Sequence, residues 1–306
     1  MGAALGMESV AAQQEAAAQH VAEQLALLRG ADKPALVGKG TEFLFFTACN
    51  DGRSEGYRVP RAPVFDTANN PSTAAKGLQE KEFELSKWAA GHGIPSARVE
   101  EIVEVRGYPV LVLEVIDDDG SALESSAVGS LLARMHRAAP PDFMVHGSEQ
   151  NFGQFLAQRL SRRYALTQES LQLPRLPDQA ALESWLNAEL VARSVAHLDV
   201  RRQNFRVSSG MPTALFDWSN ALLAPPEIEA ARLAEYSLIE DNGIDYNEFL
   251  AGYQQSGGRL RDQGAAWRVL QLDTAIMLTG VFRSLAENKR LARLFADRAS
   301  ELAESL

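Results

Sequence analysis

The stretch VAHLDVRRQNFRV, residues 195–207, sets His197, Asp199 and Asn204 between two short apolar runs. Another carboxylate, Asp217, stands thirteen residues after Asn204 at the end of the apolar run in ALFDW. A carboxylate and a carboxamide five apart in one loop suit phosphoryl transfer. Asp199 can accept a proton from an attacking hydroxyl or orient it, and the amide oxygen of Asn204 can bind Mg2+. Asp217 then supplies a second metal oxygen. Magnesium favours oxygen ligands and keeps waters, so two protein ligands with nucleotide oxygens complete a plausible site. His197 reads more simply as a structural histidine that bonds loop carbonyls.

Such a loop has to be held rigid, and its flanks SVAHL and NFRV read as two short strands. Upstream, residues 8–29 predict an amphipathic helix, with Val10, Val21, Leu25 and Leu28 near helical spacing and Gly30 as its stop. EFLFFTAC (42–49) and YRVPRAPV (57–64) read as strands on either side of NDGRSEG, read as a turn. Pro60 marks an edge or an end of the second strand. PSTAAKGLQEKEFELSKWAAGHG (71–93) reads as a cap, a helix and a glycine stop. ARVEEIVEVRG and YPVLVLEVI are two further strands. After DDDG (117–120) the chain turns helical, in SSAVGSLLARMHRAA, NFGQFLAQRLSRRYALTQESL, DQAALESWLNAEL and most of the chain from about 226, with breaks at DNGID and SGG. The expectation is an α+β protein. A small antiparallel-sheet lobe spans residues 1–116 and a larger, mainly helical lobe spans 117–306, with ligands in the cleft between lobes.

The bulk numbers fit this. A chain of 306 residues is long enough for two lobes with a substantial core. With 46% hydrophobic and 23% charged residues it is globular. The net charge of −10 argues against nucleic acid as a partner. Cys49 is the single cysteine, so no intrachain disulfide or cysteine metal site is available. No apolar run reaches the ~18 residues that span a bilayer. The start of the chain lacks a basic leader, and a cytoplasmic location without a membrane partner is expected.

At HLDVRRQN and LFDW the chain resembles the aminoglycoside phosphotransferase and choline-kinase-like family, a branch of the protein-kinase-like fold. The family's loop reads much like His-Gly-Asp-x-x-x-x-Asn, followed by Ile-Asp-Trp. The resemblance implies Asp199 as catalytic base and Asn204 and Asp217 as metal ligands. It also implies a Mg2+-dependent enzyme using ATP, with GTP as the alternative, to phosphorylate a hydroxyl of a small molecule such as an antibiotic or a biosynthetic intermediate. YRVPR looks like the strand whose basic residue reaches the nucleotide phosphates, which implies Arg58, with Arg61 as competitor. EFELSKWAAGHGIPSARV looks like the following helix, whose early Glu pairs with that basic residue. That Glu is Glu82, with Glu80 and Glu84 competing. YPVLVLEVI looks like the strand into the hinge, where backbone near Glu114 and Ile116 would bind adenine.

Several positions depart from the pattern. Leu198 replaces the loop glycine and is expected to pack inward. Arg201 and Arg202 replace the usual His, Pro and Gly, either as surface residues or as ligands for an anion. Asn220 stands where an acid is common after FDW, and Glu229 stands at the position of the family's later acid. The Gly-x-Gly of VGKGTEF (37–43) is a phosphate-covering loop or an ordinary turn. Glu235, Glu240, Asp241 and Asp245 could hold a cationic acceptor, or form a solvated face. Tyr236 and Trp185 read as core aromatics. A catalytically silent kinase-like protein that binds a ligand or a partner is the alternative, against which the full set of Asp199, Asn204 and Asp217 speaks.

Overall fold

The computed structural model describes residues 2–65, 72–146, 151–284 and 288–306. The side chain of Val10, and Pro71, both invoked above, lie outside the described residues. The chain divides into two compact units. The first is Met1–Asp119 with Thr213–Ser219, and the second is Gly120–Pro212 with Asn220–Leu306. The segment that carries Asp217 therefore belongs to the first unit, although it lies deep in the second half of the sequence.

The first unit begins with helix α1 (Gly2–Arg29), which extends several residues before the expected start because the Ala-rich beginning favours helix. Next come β1 (Ala35–Lys39), β2 (Phe43–Asn50), β3 (Arg53–Pro60), the short pair β4 (Val64–Phe65) and β5 (Thr73–Ala74), helix α2 (Ala75–Gly91), β6 (Val99–Val105) and β7 (Tyr108–Glu114). The antiparallel sheet has the order β1-β2-β3-β7-β6. NDGRSEG is not a turn throughout. Asp51 and Gly52, at φ 49° and 79°, reverse the chain on their own, as an Asp-Gly hairpin does, so Arg53–Gly56 join the strand. The Gly-x-Gly segment ends β1 and turns into β2, where Gly40 N–H donates to Phe43 O at 2.8 Å. Pro60 is the last residue of a central strand, where its missing N–H breaks no ladder bond within the strand.

Alternation decides what each sheet face meets. Leu44, Phe46, Ala48, Tyr57, Val59, Val110 and Val112 pack with Ala18, Val21, Ala22, Leu25 and Ala26 of α1. With a side-chain period of two, Arg58 lies on the opposite face from Tyr57 and Val59. That face also carries Leu111 and Leu113, which cluster with Phe83 of α2.

The second unit contains α3 (Ser125–Arg137), α4 (Asp142–His146), α5 (Phe152–Leu171), α6 (Gln179–Glu189), β8 (Ser194–Ala196), β9 (Phe205–Ser208), β10 (Met211–Leu215), β11 (Leu222–Ala224), α7 (Pro226–Tyr236), α8 (Tyr246–Gln255), α9 (Gly264–Ser284) and α10 (Lys289–Glu304). β10 starts here and runs on into the segment assigned to the first unit. The strands flanking the 197–204 loop have separate partners, with β8 paired to β11 and β9 to β10.

Helices α3 and α8 meet through glycines. A Cβ on Gly129 would come within 2.0 Å of Phe249 O, and one on Gly252 within 2.0 Å of Ser126 O. Backbone lies on both sides of the contact and cannot swing away. Gly252→Ala is therefore expected to lower stability by about 1–3 kcal/mol, read as a lower urea midpoint with unchanged slope. An unchanged midpoint would show that the helices separate at no cost.

Candidate active site

One group of polar side chains is built in the first unit around Arg58. The guanidinium is fully buried and stacks over the Phe43 ring, its central carbon 3.4 Å from the ring centre. Nη1 donates to Gln79 Oε1 at 2.7 Å. Nη2 donates to Ser219 Oγ at 2.6 Å and to Asp217 Oδ1 at 3.0 Å. Ser219 Oγ also donates to Asp217 Oδ1, at 2.8 Å. Gln79 completes the frame from α2, its amide donating to Arg58 O at 2.7 Å and Pro109 O at 3.0 Å.

Glu82 is buried in this group, whereas Glu80 and Glu84 are exposed, so the helix face picks one acid of three. Its expected pairing with Arg58 is loose, at 3.8 Å. Its oxygens instead accept main-chain N–H bonds from Asp217 at 3.1 Å and Trp218 at 2.7 Å. Asp217 sits at φ 65°, and these two bonds hold the peptides on either side of that strained residue. Burial raises the Glu82 pKa, with Arg58 opposing and Asp217 adding. Neighbouring Lys81 donates to Ser219 O at 2.8 Å, and burial pushes its amine down to about 8.

Sequence reasoning missed Gln79, Lys81 and Ser219. The one local signal was the spacing of Gln79 and Glu82, three apart on a helix and hence on one face. Arg61, the competitor for the phosphate role, is half-buried just after β3, and its Nε donates to Gly40 O at 2.9 Å. Glu114 and Ile116 lie apart from this group. Glu114 pairs with Glu55 in the sheet while Arg58 pairs with Leu111, three residues or about 10 Å along β7. Its carboxylate accepts Arg98 N–H at 3.3 Å. Ile116 packs partly buried against Ala97, Leu111 and Leu113.

The other group lies in the second unit. Asn204 donates its side-chain amide to Asp199 O at 2.7 Å and Asp199 Oδ2 at 2.8 Å, and both residues are buried. The loop thus closes on itself across its five residues. The same amide keeps its carbonyl oxygen as the one atom able to bind a cation. Arg201 Nη2 is 3.2 Å from Asp199 Oδ2, with a half-exposed side chain. His197 is fully buried, and its Nδ1 accepts Asp199 N–H at 3.2 Å, a structural role within the loop. Arg202 donates to Phe205 O at 3.3 Å and Ser121 O at 3.2 Å, which makes it a tether of the loop.

Leu198 packs inward, 2% exposed, at φ 63°. That conformation costs an L-residue about 1–2 kcal/mol. Helix α7 holds it in place. Glu229 accepts the N–H groups of His197 and Leu198, and Arg232 donates to Leu198 O. Burial raises the Glu229 pKa from 4.5 to about 7, against the two N–H bonds and Arg232. A raised carboxyl pKa means the native state binds more protons than the unfolded one, so its contribution falls as pH rises. The stability of the wild type relative to Glu229→Gln is therefore expected to decline between pH 4.5 and 7, measured by urea unfolding across that range. A flat difference would place the carboxyl near its ordinary value.

Two expectations about an acceptor change. Glu235 cannot serve a cationic substrate, because it is buried with Arg298 at 3.1 Å and Gln271 at 2.9 Å. Asp245 caps α8, its Oδ1 accepting Glu248 N–H at 2.9 Å. Tyr236 is a core residue, as expected, its hydroxyl pushed up to about 12 by burial and by nearby Asp199.

A five-stranded antiparallel sheet with its helix, followed by a mainly helical unit carrying an Asp/Asn loop, defines a two-lobed protein-kinase-like fold. The Phosphotransferase enzyme family (APH) model matches residues 67–271, and the chain belongs to that family. Solved structures agree on the fold. A putative fructosamine-3-kinase from Haemophilus somnus is 12% identical over 94% of this chain and 95% of its own, with a TM-score of 0.66. A thermostable mutant of the aminoglycoside phosphotransferase APH(4)-Ia, in ternary complex with ADP and hygromycin B, is 16% identical over 93% and 98%, with a TM-score of 0.59. A macrolide 2'-phosphotransferase type I is 15% identical over 91% and 95%, with a TM-score of 0.55. No curated protein sequence matches the chain. Among the described residues no helix is long and apolar enough to cross a membrane.

Proposed function

We propose that the chain is an ATP- and Mg2+-dependent kinase that phosphorylates a hydroxyl of a small molecule. The observation that carries this reading is the buried Asn204–Asp199 pair, with Asn204 bonded to both the main chain and the carboxylate of Asp199. Asp199 is thereby held in one rotamer, with Arg201 on the oxygen that Asn204 also binds. Its role is to orient the acceptor hydroxyl and take its proton as the new P–O bond forms. Arg58 would answer the phosphate charge, and Glu82 fixes the backbone that presents Asp217.

The donor set suits magnesium. Asn204 and Asp217 offer one amide and one carboxylate oxygen, and among the described residues no group of three or more His, Cys, Asp or Glu could hold a metal alone. Bound there, Mg2+ would neutralise phosphate oxygens. β7 ends at Glu114, and the backbone there and at Ile116, two residues on, would meet adenine. ADP in the APH(4)-Ia structure supports ATP over GTP.

The test is ATP consumption with Mg2+ over a panel of hydroxyl compounds, with Asp199→Ala as control. Acceptor-dependent consumption that vanishes in the variant supports the reading. Nucleotide binding without transfer to any compound would make the chain a silent member of its family.

A further inference from the structure

A carboxylate that serves a cation has to keep both its main chain and its side-chain rotamer in place. In the first unit, helix α2 secures the main chain around Asp217. Glu82 accepts the N–H groups of Asp217 and Trp218 at 3.1 and 2.7 Å. Lys81, the residue before it, donates to Ser219 O at 2.8 Å. These bonds fix the peptides of residues 217–219. All three end on main-chain atoms, so they leave the rotamer of Asp217 open. The Asp217 side chain keeps 28% of its surface exposed, and a dissolved ion can reach it.

Two donors meet at Asp217 Oδ1, and they differ in what else is asked of them. Arg58 Nη2 donates to it at 3.0 Å and Ser219 Oγ at 2.8 Å. A carboxylate oxygen has two lone pairs, and these bonds use both. Arg58 Nη2 also donates to Ser219 Oγ at 2.6 Å, which closes a triangle. The hydrogens run one way round it. Ser219 has a single hydroxyl hydrogen and gives it to Asp217, while a lone pair of the same oxygen accepts Arg58. Both hydrogens of Nη2 are thereby committed. A phosphate that draws on Nη2 takes one of them from Asp217 or from Ser219. The serine is under no such demand. It is 8% exposed, and Lys81 ties its carbonyl.

We propose that Ser219 is a positioning residue, whose hydroxyl holds the Asp217 carboxylate in one orientation for a divalent cation while Arg58 is shared with the nucleotide phosphates. The inference rests on the kinase reading for the cation and for the phosphate role of Arg58. It rests on the triangle for the role of the hydroxyl. Ser219 acts through Asp217 and needs no contact with the ion.

The test measures by calorimetry the Kd of a non-hydrolysable ATP analogue without and with Mg2+, and takes the ratio of the two as the metal gain. Wild type, Ser219→Ala, Ser219→Thr and Asp217→Asn are compared, each with a melting curve. S219A is expected to lower the metal gain by about tenfold, the size of a lost hydrogen bond to a charged group. S219T keeps the hydroxyl and should restore most of the gain. Should S219A not fold, Ser219→Cys, close in volume but with a weak S–H donor, carries the same expectation. A serine that only supports the fold would lower the Tm and weaken both Kd values together, with the ratio as in wild type. That result overturns the inference and leaves the kinase reading standing, as does a gain lowered equally by S219A and S219T. No metal gain in the wild type, or a full gain in D217N, means that Asp217 is not a metal ligand. The metal part of the kinase reading then falls, and the inference falls with it.

Discussion

Asp199→Ala is expected to leave the chain folded and to slow phosphoryl transfer by ~10²–10⁴-fold, the usual contribution of a general base. The carboxylate has few structural duties. Asn204 keeps its bond to Asp199 O at 2.7 Å, and Leu198 keeps its clamp on Glu229 and Arg232. The loss should fall on kcat, with the KM for ATP nearly unchanged, because the interaction matters when the hydroxyl proton moves. Asp199→Asn should behave alike, since an amide fills the space but takes no proton. Steady-state kinetics together with a melting curve check this. Retained kcat with an unaltered Tm would remove Asp199 from the chemistry.

Arg58→Met is expected to be the most damaging change to stability, by ~3–5 kcal/mol, the range for breaking a buried ion pair from one side. Methionine refills much of the volume over Phe43, so packing is not the main loss. What remains is Glu82, fully buried, beside Asp217 without the guanidinium that bridged them, and a Gln79 amide oxygen and a Ser219 hydroxyl that have lost this donor. The carboxylates should then bind protons more readily in the folded state, so the deficit should shrink as pH falls. Urea unfolding at several pH values measures it. A loss below 1 kcal/mol, flat in pH, would mean the guanidinium is dispensable to the fold.

The sequence carried those features that local spacing encodes. The two-lobed α+β organisation follows from period-two runs before Asp117 and helical runs after it. Alternation put Arg58 on the face opposite Tyr57 and Val59, and the helix face around Glu82 left Glu80 and Glu84 in solvent. What stayed hidden depends on contacts far apart in sequence. Gln79 and Ser219 meet Arg58 across 21 and 161 residues, and Glu229 reaches Leu198 across 31. No local pattern announces such bonds. Glu235 misled for a related reason, since a carboxylate bonded to Arg298 over 63 residues reads in one dimension like one in water, whereas Glu240 and Asp241 are exposed, as a solvated run would be. The Asp-Gly turn was blurred by Ser54 and Gly56, strand residues of turn-forming type.

In the proposed kinase, Asn204 and Asp217 would hold a divalent ion for the nucleotide. Calorimetric titration of a non-hydrolysable ATP analogue, with and without Mg2+, into wild type and Asp217→Asn tests it without knowledge of the acceptor. Mg2+ is expected to tighten binding to the wild type, and this gain is expected to disappear in the variant. An equal Mg2+ gain in both proteins would contradict it.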